Sequence, residues 1–188
     1  MRAIAGVFAL TFPIAFGLIV LGLPATHAAA ADRKISDFYG AYTGQSISLK
    51  GEGLSARDLS VRIKPNKQGF NLSWTTVTHK KGSSAVRKSY SIDFSKSPRK
   101  NMWGSAVRRD AFGNMQPINP LQKGDPFVWA TLKGDTLTVY ALIITASGGY
   151  ELQTYARTLT ADGMRLNFTR LRDGERLKAI TGVLVKKK

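Results

Sequence analysis

The sequence predicts an all-β protein in which a single antiparallel up-and-down meander of about 8–10 strands closes into a barrel behind an N-terminal signal peptide. Three observations lead to this prediction: short segments in which apolar and polar residues alternate, turn residues at regular intervals between them, and one long uncharged N-terminal stretch. Alternation with a period of two is typical of half-buried strands. A β-sandwich is the alternative arrangement of the same strands.

Residues 1–30 have the pattern of a cleaved signal peptide. The chain from Ala3 to Leu23 carries no charge, and Ala28 to Ala30 supply the small residues that a signal peptidase recognises. About 20 apolar residues can also form a retained membrane anchor, but Pro24 and the alanine-rich end favour cleavage. We therefore expect a mature chain, residues 31–188, that is periplasmic or secreted and forms a single domain.

The mature chain is strongly basic and contains no cysteine. Arg2 is the single basic residue of the leader, so 27 basic and 12 acidic residues remain and the net charge is +15. Such a charge favours anionic partners, and in a cell envelope these are anionic amphiphiles, lipid head groups or acidic polymers. Peripheral contact with a membrane is compatible with it, and recognition of a specific nucleic acid is not expected. The lack of cysteine excludes thiol catalysis and thiolate metal sites.

Turn signals separate the predicted strands. The Asp-Gly pairs at 162–163 and 173–174 are strong hairpin signals, because a type I′ turn needs positive φ at both central residues. Further corners with glycine are predicted at 51–53, 66–69, 81–83, 134–135 and 147–149.

The alternation between these turns places the strands in order. Leu59, Val61 and Ile63 share one face of a segment whose other face is polar. Arginine and lysine on that other face do not fit a lipid-facing band, so we expect the barrel to lie outside the bilayer. The predicted strands are 37–49, 58–65, 69–79, 85–94, 101–108, 126–133, 136–146, 150–159, 164–171 and 177–186.

The beginning of the mature domain resembles the calycin superfamily, the barrels of lipocalins and fatty-acid-binding proteins. Phe38-Tyr39-Gly40-Ala41-Tyr42 precedes a meander over nearly all of the mature chain, with Tyr42 where lipocalins have the Trp of Gly-x-Trp. The chain lacks a second lipocalin signature, and residues 50–57 leave no room for the helical pair of fatty-acid-binding proteins. The resemblance concerns architecture and implies an interior cavity for an apolar ligand.

Few residues have the spacing of a catalytic or metal site. His79 is the one histidine of the mature chain, and the nucleophile motif Gly-x-Ser-x-Gly is absent. Glu151 lies among bulky residues on a strand, and we expect it to pair across strands with an arginine such as Arg170. We therefore expect no cofactor, no metal and no catalytic residue, and an enzyme is less expected than a binding protein.

The segment around residues 95–125 is predicted to be a long basic loop or lid. It contains three prolines and at most one short strand, and long loops in compact domains often bind ligands. In this segment Trp103, Arg108 and Arg109 suit a ligand with an apolar body and an anionic head. A loop that covers one barrel end, with Trp103 as a plug, is the alternative.

Four residues on strands complete the predicted ligand site. Tyr140 and Tyr155 are candidates to line the cavity, and Arg157 and Arg170 are candidates to bind an anionic head group, because a buried unpaired charge is costly. The two tryptophans on strands, Trp74 and Trp129, are expected in the core. The leading hypothesis is non-catalytic binding of an anionic amphiphile or lipid-like ligand. The alternatives are a module that binds an anionic envelope surface or polymer, or an accessory or inhibitor subunit of an envelope enzyme; the oligomeric state is open.

Overall fold

The fold is seen in a computed structural model. It describes residues 33–50, 53–80, 83–105, 107–109, 112, 115–117, 119, 121 and 126–188. The predicted leader, residues 1–30, lies outside this part of the chain. No helix within it is long and apolar enough to cross a membrane.

The described chain forms one closed antiparallel barrel of ten strands, in the order β1-β12-β11-β10-β9-β8-β5-β4-β3-β2, and β6 and β7 pair separately. The predicted all-β meander and its closure are confirmed. The elements are a 3-10 helix, η1 (Ile35–Phe38), and the strands β1 (Gly40–Lys50), β2 (Gly53–Pro65), β3 (Gly69–Lys80), β4 (Ser83–Lys96), β5 (Met102–Gly104), β6 (Val107–Arg109), β7 (Met115–Pro117), β8 (Phe127–Lys133), β9 (Thr136–Ile144), β10 (Tyr150–Leu159), β11 (Gly163–Arg172) and β12 (Glu175–Lys186).

β2 begins at Gly53 rather than at the predicted residue 58, and two other predicted strands extend into elements that are not part of the barrel wall. The first strand was expected from residue 37, but residues 37 and 38 belong to η1, where the Lys34 N–H donates to the Asp37 carboxylate at 3.0 Å. The strand expected over 101–108 is split. Only β5 joins the barrel, while β6 pairs with β7. In each case the alternation continues past the point where the chain leaves the barrel wall.

The Asp-Gly pair at 173–174 forms the predicted type of hairpin corner. Asp173 has φ 49° and Gly174 has φ 88°, so both central residues are in the left-handed region that a type I′ turn requires. The pair at 162–163 also joins two strands, but the Thr160 N–H donates to the Gly163 carbonyl at 3.0 Å, so Gly163 flanks the turn, and neither residue of the pair has a positive φ. Both hairpins are therefore predicted correctly, but only the corner at 173–174 has the expected backbone conformation.

One end of the barrel interior, which we name the packed half, holds the apolar core. Helix η1 closes this end with Phe38, which is fully buried, and the Tyr42 hydroxyl donates to the Phe38 carbonyl at 2.9 Å. Phe70 stacks on Phe94 with ring centroids 4.8 Å apart and meets Trp103 edge-on at 5.5 Å. The fully or nearly fully buried side chains of the packed half are Phe38, Tyr42, Ile63, Phe70, Leu72, Phe94, Ala130, Leu137, Val139, Met164 and Leu184.

The barrel wall contains few paired residues between β4 and β8, and we call this part the thin wall. Strand β4 pairs with β3 over nearly its whole length, but with β5 only at Ser95 and Lys96. Before Ser95, the described chain offers β4 no strand partner on this side, and residues 84–91 are exposed. Within the described residues, the wall thus has a side opening next to the half of the interior that η1 does not close.

Candidate functional site

The other end of the interior holds a cavity of about 300 Å³, and we name it the cationic half. It lies toward the hairpins that join β9 to β10 and β11 to β12. Among the described residues that line the cavity, five are basic and none is acidic. The basic residues are Arg57, Lys88, Arg157, Arg170 and Lys178, and the aromatic ones are Trp74, Tyr90, Tyr155 and Phe168.

Strand β10 runs from the mouth of this cavity to its floor. Its alternation places Glu151, Gln153, Tyr155 and Arg157 on the inner face of the barrel. Glu151 lies opposite Arg172 in the register, next to the hairpin, whereas the neighbours of Arg157 are Leu137 and Leu166. Arg157 therefore lies where the cationic half meets the apolar core.

The Arg157 side chain is 1% exposed and forms the floor of the cavity. Its guanidinium carbon lies 5.6 Å from the ring centroids of both Trp74 and Tyr155. Nη1 donates a long hydrogen bond of 3.5 Å to the Tyr155 carbonyl, and the buried Nε has no partner. No carboxylate of the described chain lies within ion-pair distance of this guanidinium.

The charge of Arg157 is only weakly compensated. Burial lowers the pKa of its guanidinium to about 10, so the group is protonated at neutral pH. A cation–π contact contributes about 0.5–2 kcal/mol, whereas the effective cost of burying an ion is several kcal/mol. The floor of the cavity therefore carries a positive charge that no carboxylate among the described residues neutralises.

The one buried carboxylate in this part of the barrel belongs to Glu151 and is already paired. Arg170 Nη2 donates to Oε2 at 2.6 Å, Gln153 Nε2 to Oε1 at 2.7 Å, and Arg172 Nη2 to Oε2 at 3.4 Å. The hydrogen bond from Arg170 holds the pKa of Glu151 below its usual value, against the opposing effect of burial. The predicted cross-strand pair of Glu151 and Arg170 is confirmed.

A hydrogen-bond chain extends from this ion pair along the wall. The Tyr155 hydroxyl donates to Gln153 Oε1 at 2.9 Å, and the Gln153 amide in turn donates to Glu151. Burial raises the pKa of Tyr155 to about 12, so the phenol stays neutral. The chain fixes the side chains of the wall and orients Glu151 toward the arginines at the mouth rather than toward Arg157.

Flat aromatic faces line the wall between floor and mouth. Trp74 stacks on Tyr90 at 4.9 Å and lies 5.6 Å from Tyr155, which in turn contacts Phe168 at 4.7 Å. These rings present apolar surface on either side of the Arg157 guanidinium. The arrangement fits a ligand with both a flat apolar part and a negative charge.

Three of the predicted ligand-binding residues come together in the cavity, namely Tyr155, Arg157 and Arg170. Tyr140 is not with them. The neighbouring Val139 is buried inside the barrel, so Tyr140 lies on the outer face, where it stacks on Trp129 at 4.9 Å. Adjacent positions on a strand point to opposite faces, so Val139 and Tyr140 cannot both line the interior.

The other predicted residues belong to the segment around 95–125. Trp103 is 6% exposed, and its side chain packs in the packed half rather than over the cavity. Arg108 and Arg109 lie in β6, which pairs with β7. Much of residues 106–125 lies outside the described part of the chain, so the lid remains a prediction.

Several cavity residues were not predicted as ligand contacts. Trp74 was expected in the core, and it does pack against the core, but it also lines the cavity with Tyr90. On β3 the inward positions continue from Leu72 through Trp74 to Thr76. This change from apolar to polar residues on one face marks the boundary between the two halves. It is the feature of the sequence from which the position of the cavity could have been predicted.

The described residues contain no group of three or more His, Cys, Asp or Glu side chains placed to hold a metal ion. His79, at the end of β3, is exposed, and its Nε2 lies 2.7 Å from Asp58 Oδ2. This contact holds the pKa of Asp58 below its usual value. The pair lies outside the lining of the cavity.

No family model matches the sequence, and no curated protein matches it either. Among solved structures, the chain is similar to a protein of unknown function from the DUF3598 family of Nostoc punctiforme, with 14% identity and a TM-score of 0.49 over 87% of this chain. The aligned part is 53% of that protein, so the chain spans about half its length. It is also similar to the S-type phycobiliprotein lyase of Guillardia theta, with 10% identity and a TM-score of 0.35 over 82% of this chain and 90% of that one. The ten antiparallel strands of the barrel form the closed architecture that the resemblance to calycin barrels implied.

Proposed function

We propose that the protein is a non-catalytic binding protein that holds an anionic amphiphile in the cationic half of its barrel. The observation that carries this proposal is the buried, uncompensated Arg157 at the floor of the cavity. Removing a charge from water is costly unless a partner neutralises it. A bound anionic group is the partner that this geometry lacks.

The other walls of the cavity support the same ligand. Basic side chains surround the space, while aromatic rings supply apolar surface for the body of the ligand. A volume of about 300 Å³ is at the lower end of the range for small-molecule sites. The space therefore suits a compact ligand better than a long lipid.

Location and access are further parts of this proposal. With a leader over residues 1–30, the protein works in the periplasm or outside the cell, where anionic amphiphiles and lipid head groups are present. The segment around 95–125, with Arg108 and Arg109, serves as a lid that adds positive charge near the cavity. These parts rest on the sequence alone.

The test uses two fluorescent probes that differ by one charged group, 1-anilinonaphthalene-8-sulfonate and the uncharged N-phenyl-1-naphthylamine. We expect the sulfonate to bind with a stoichiometry of one, and Arg157→Met to weaken that binding at least about 10-fold, because a charged hydrogen bond contributes about 1.5–3 kcal/mol. The binding of the uncharged probe should change much less.

Arg165→Met is the matched control, since Arg165 is an exposed arginine on β11 whose neighbours Met164 and Leu166 face the interior. It should leave the affinity for the sulfonate within about twofold, because distant surface charges are screened. If Arg157→Met and Arg165→Met have the same affinity as the wild type, the proposal fails. That result favours the alternative in which the basic exterior binds an anionic surface or polymer.

A further inference from the structure

The orientation of the ligand follows from the depth at which the charges lie. An amphiphile that enters with its tail first needs an apolar floor, and here the deepest polar group is the Arg157 guanidinium. Glu151, at the mouth, lies six residues from it along β10, which is about 20 Å of strand. The anionic group of the ligand therefore has its best partner at the bottom of the cavity rather than at the mouth.

The packed half limits how far any ligand extends. Below Arg157 the interior is filled by fully buried side chains such as Leu137, Met164 and Leu72. Protein cores are packed as densely as organic crystals, so no channel for an acyl chain continues below the floor. The body of the ligand must fit between the floor and the mouth.

The space between floor and mouth is bounded by rings rather than by flexible aliphatic side chains. The stacked pair of Trp74 and Tyr90 lies on one side, and the contacting pair of Tyr155 and Phe168 continues the wall. Aromatic rings associate best with other flat rings in offset-stacked or edge-to-face contacts. The walls therefore favour a flat aromatic body.

The mouth carries a second positive group of side chains. Arg57 on β2 and Lys88 on β4 line the cavity beyond the aromatic wall. In the described chain neither has a carboxylate within ion-pair distance. Arg170 differs from them, because Glu151 neutralises it.

We infer that the ligand is a small, flat aromatic dianion that binds with one anionic group on Arg157, its rings against Trp74 and Tyr155, and its second anionic group near Arg57 and Lys88. This inference rests on the proposed function and specifies the class of ligand. Two sites of positive charge, Arg157 at the floor and Arg57 with Lys88 at the mouth, are separated by aromatic surface and select a molecule with its charges at opposite ends.

The experiment compares three probes by isothermal titration calorimetry at low salt: 2,6-naphthalenedisulfonate, 2-naphthalenesulfonate and decyl sulfate. We expect the disulfonate to bind at least about 10-fold more tightly than the monosulfonate, since its second anionic group gains charged hydrogen bonds from Arg57 or Lys88. Decyl sulfate, with the same kind of charge on a flexible chain, should bind more weakly than the monosulfonate.

Two variants locate the two charges of the ligand. Arg157→Met should weaken both naphthalene probes by at least about 10-fold. In the double variant Arg57→Ser/Lys88→Ser, the disulfonate should no longer bind more tightly than the monosulfonate. The affinity for the monosulfonate should stay the same as in the wild type. The control Arg62→Ser/Lys64→Ser removes two exposed cations from the outer face of β2 and should preserve the tighter binding of the disulfonate.

The outcomes separate this inference from the proposed function. If decyl sulfate binds in an Arg157-dependent way and the disulfonate binds no more tightly than the monosulfonate, the dianion is excluded and the proposed function stands. If Arg157→Met changes the binding of none of the three probes, both fall. Equal loss of disulfonate binding in the double variant and its control also overturns the inference, because only net charge would then matter.

Discussion

The two halves of the barrel interior are built from the same strands and have opposite contents. On β3 the inward residues Phe70 and Leu72 are fully buried in apolar contacts, whereas Thr76 and Thr78, farther along the same face, line the cationic cavity. The packed half resembles an ordinary protein core, and the cationic half holds a buried charge without a counter-ion. One half therefore stabilises the fold, while the other tolerates an arrangement that costs stability.

The same division appears on the opposite wall. Leu159, at the end of β10, packs against the apolar core, and the next inward residue is Arg157. One strand thus changes from core to cavity within two residues. A protein can keep such an unfavourable cation only when enough apolar surface is buried elsewhere.

The largest expected effect is the loss of core packing. Phe70→Ala should lower the free energy of unfolding by about 3–5 kcal/mol, because the ring is fully buried between Phe94 and Trp103. Phe168→Ala, which truncates a half-buried ring of the cationic half, should cost much less. Urea denaturation of both variants measures the difference, and similar losses would contradict the division into two halves.

Replacement of the buried cation should have a smaller effect of the opposite sign. Arg157→Met should raise the free energy of unfolding by about 1–4 kcal/mol, because it substitutes an apolar side chain for a charge that lacks a carboxylate partner. Thermal and urea unfolding without ligand measure this change. A variant that binds no sulfonate yet is more stable shows that Arg157 serves binding, whereas a destabilised variant would indicate a structural role.

The smallest effect concerns the ion pair at the mouth and depends on pH. Arg170 lowers the pKa of Glu151, so the pair stabilises the folded protein above the unfolded-state pKa of 4.5, and this stabilisation is lost as the pH falls through the lower folded-state value. Glu151→Gln should reduce stability by about 1–2 kcal/mol at pH 7. The difference from the wild type should shrink as the pH falls from 4.5 through the lower folded-state pKa of Glu151, as measured by urea denaturation at several pH values. A difference that does not change with pH would exclude the ion pair as its cause.

Alternation and turn residues were sufficient to predict most of the architecture from the sequence. A period of two identifies a strand and the residues that share a face, and the pairing of Glu151 with Arg170 needed only two adjacent strands. Alternation alone was not sufficient to predict which residues line the cavity. Whether Tyr140 or its neighbour Val139 faces inward depends on which face of β9 closes onto the core, and the alternation allows either choice because residues 136–145 are apolar on both faces.

The division of the barrel interior into a packed half and a cationic half could not be predicted from the sequence either. It depends on which end of the barrel η1 closes, and the burial of Phe38 at that end follows from tertiary packing. Trp74 is an example. A tryptophan that continues an apolar face is expected in the core, but Trp74 lies at the border of the core and is only partly buried. Cavity position is thus a property of the closed barrel rather than of any one strand.

The thin wall between β4 and β8 has a consequence for dynamics. β5 joins its neighbour β4 only at Ser95 and Lys96, so separating these strands breaks few backbone hydrogen bonds, although it withdraws Trp103 from its contact with Phe70 in the packed half. Such local unfolding has a much lower free energy than global unfolding and recurs far more often. The amide hydrogens of β5 will therefore exchange with solvent sooner than those of β10 and β11, and this fluctuation loosens the wall between β4 and β8 without unfolding the barrel.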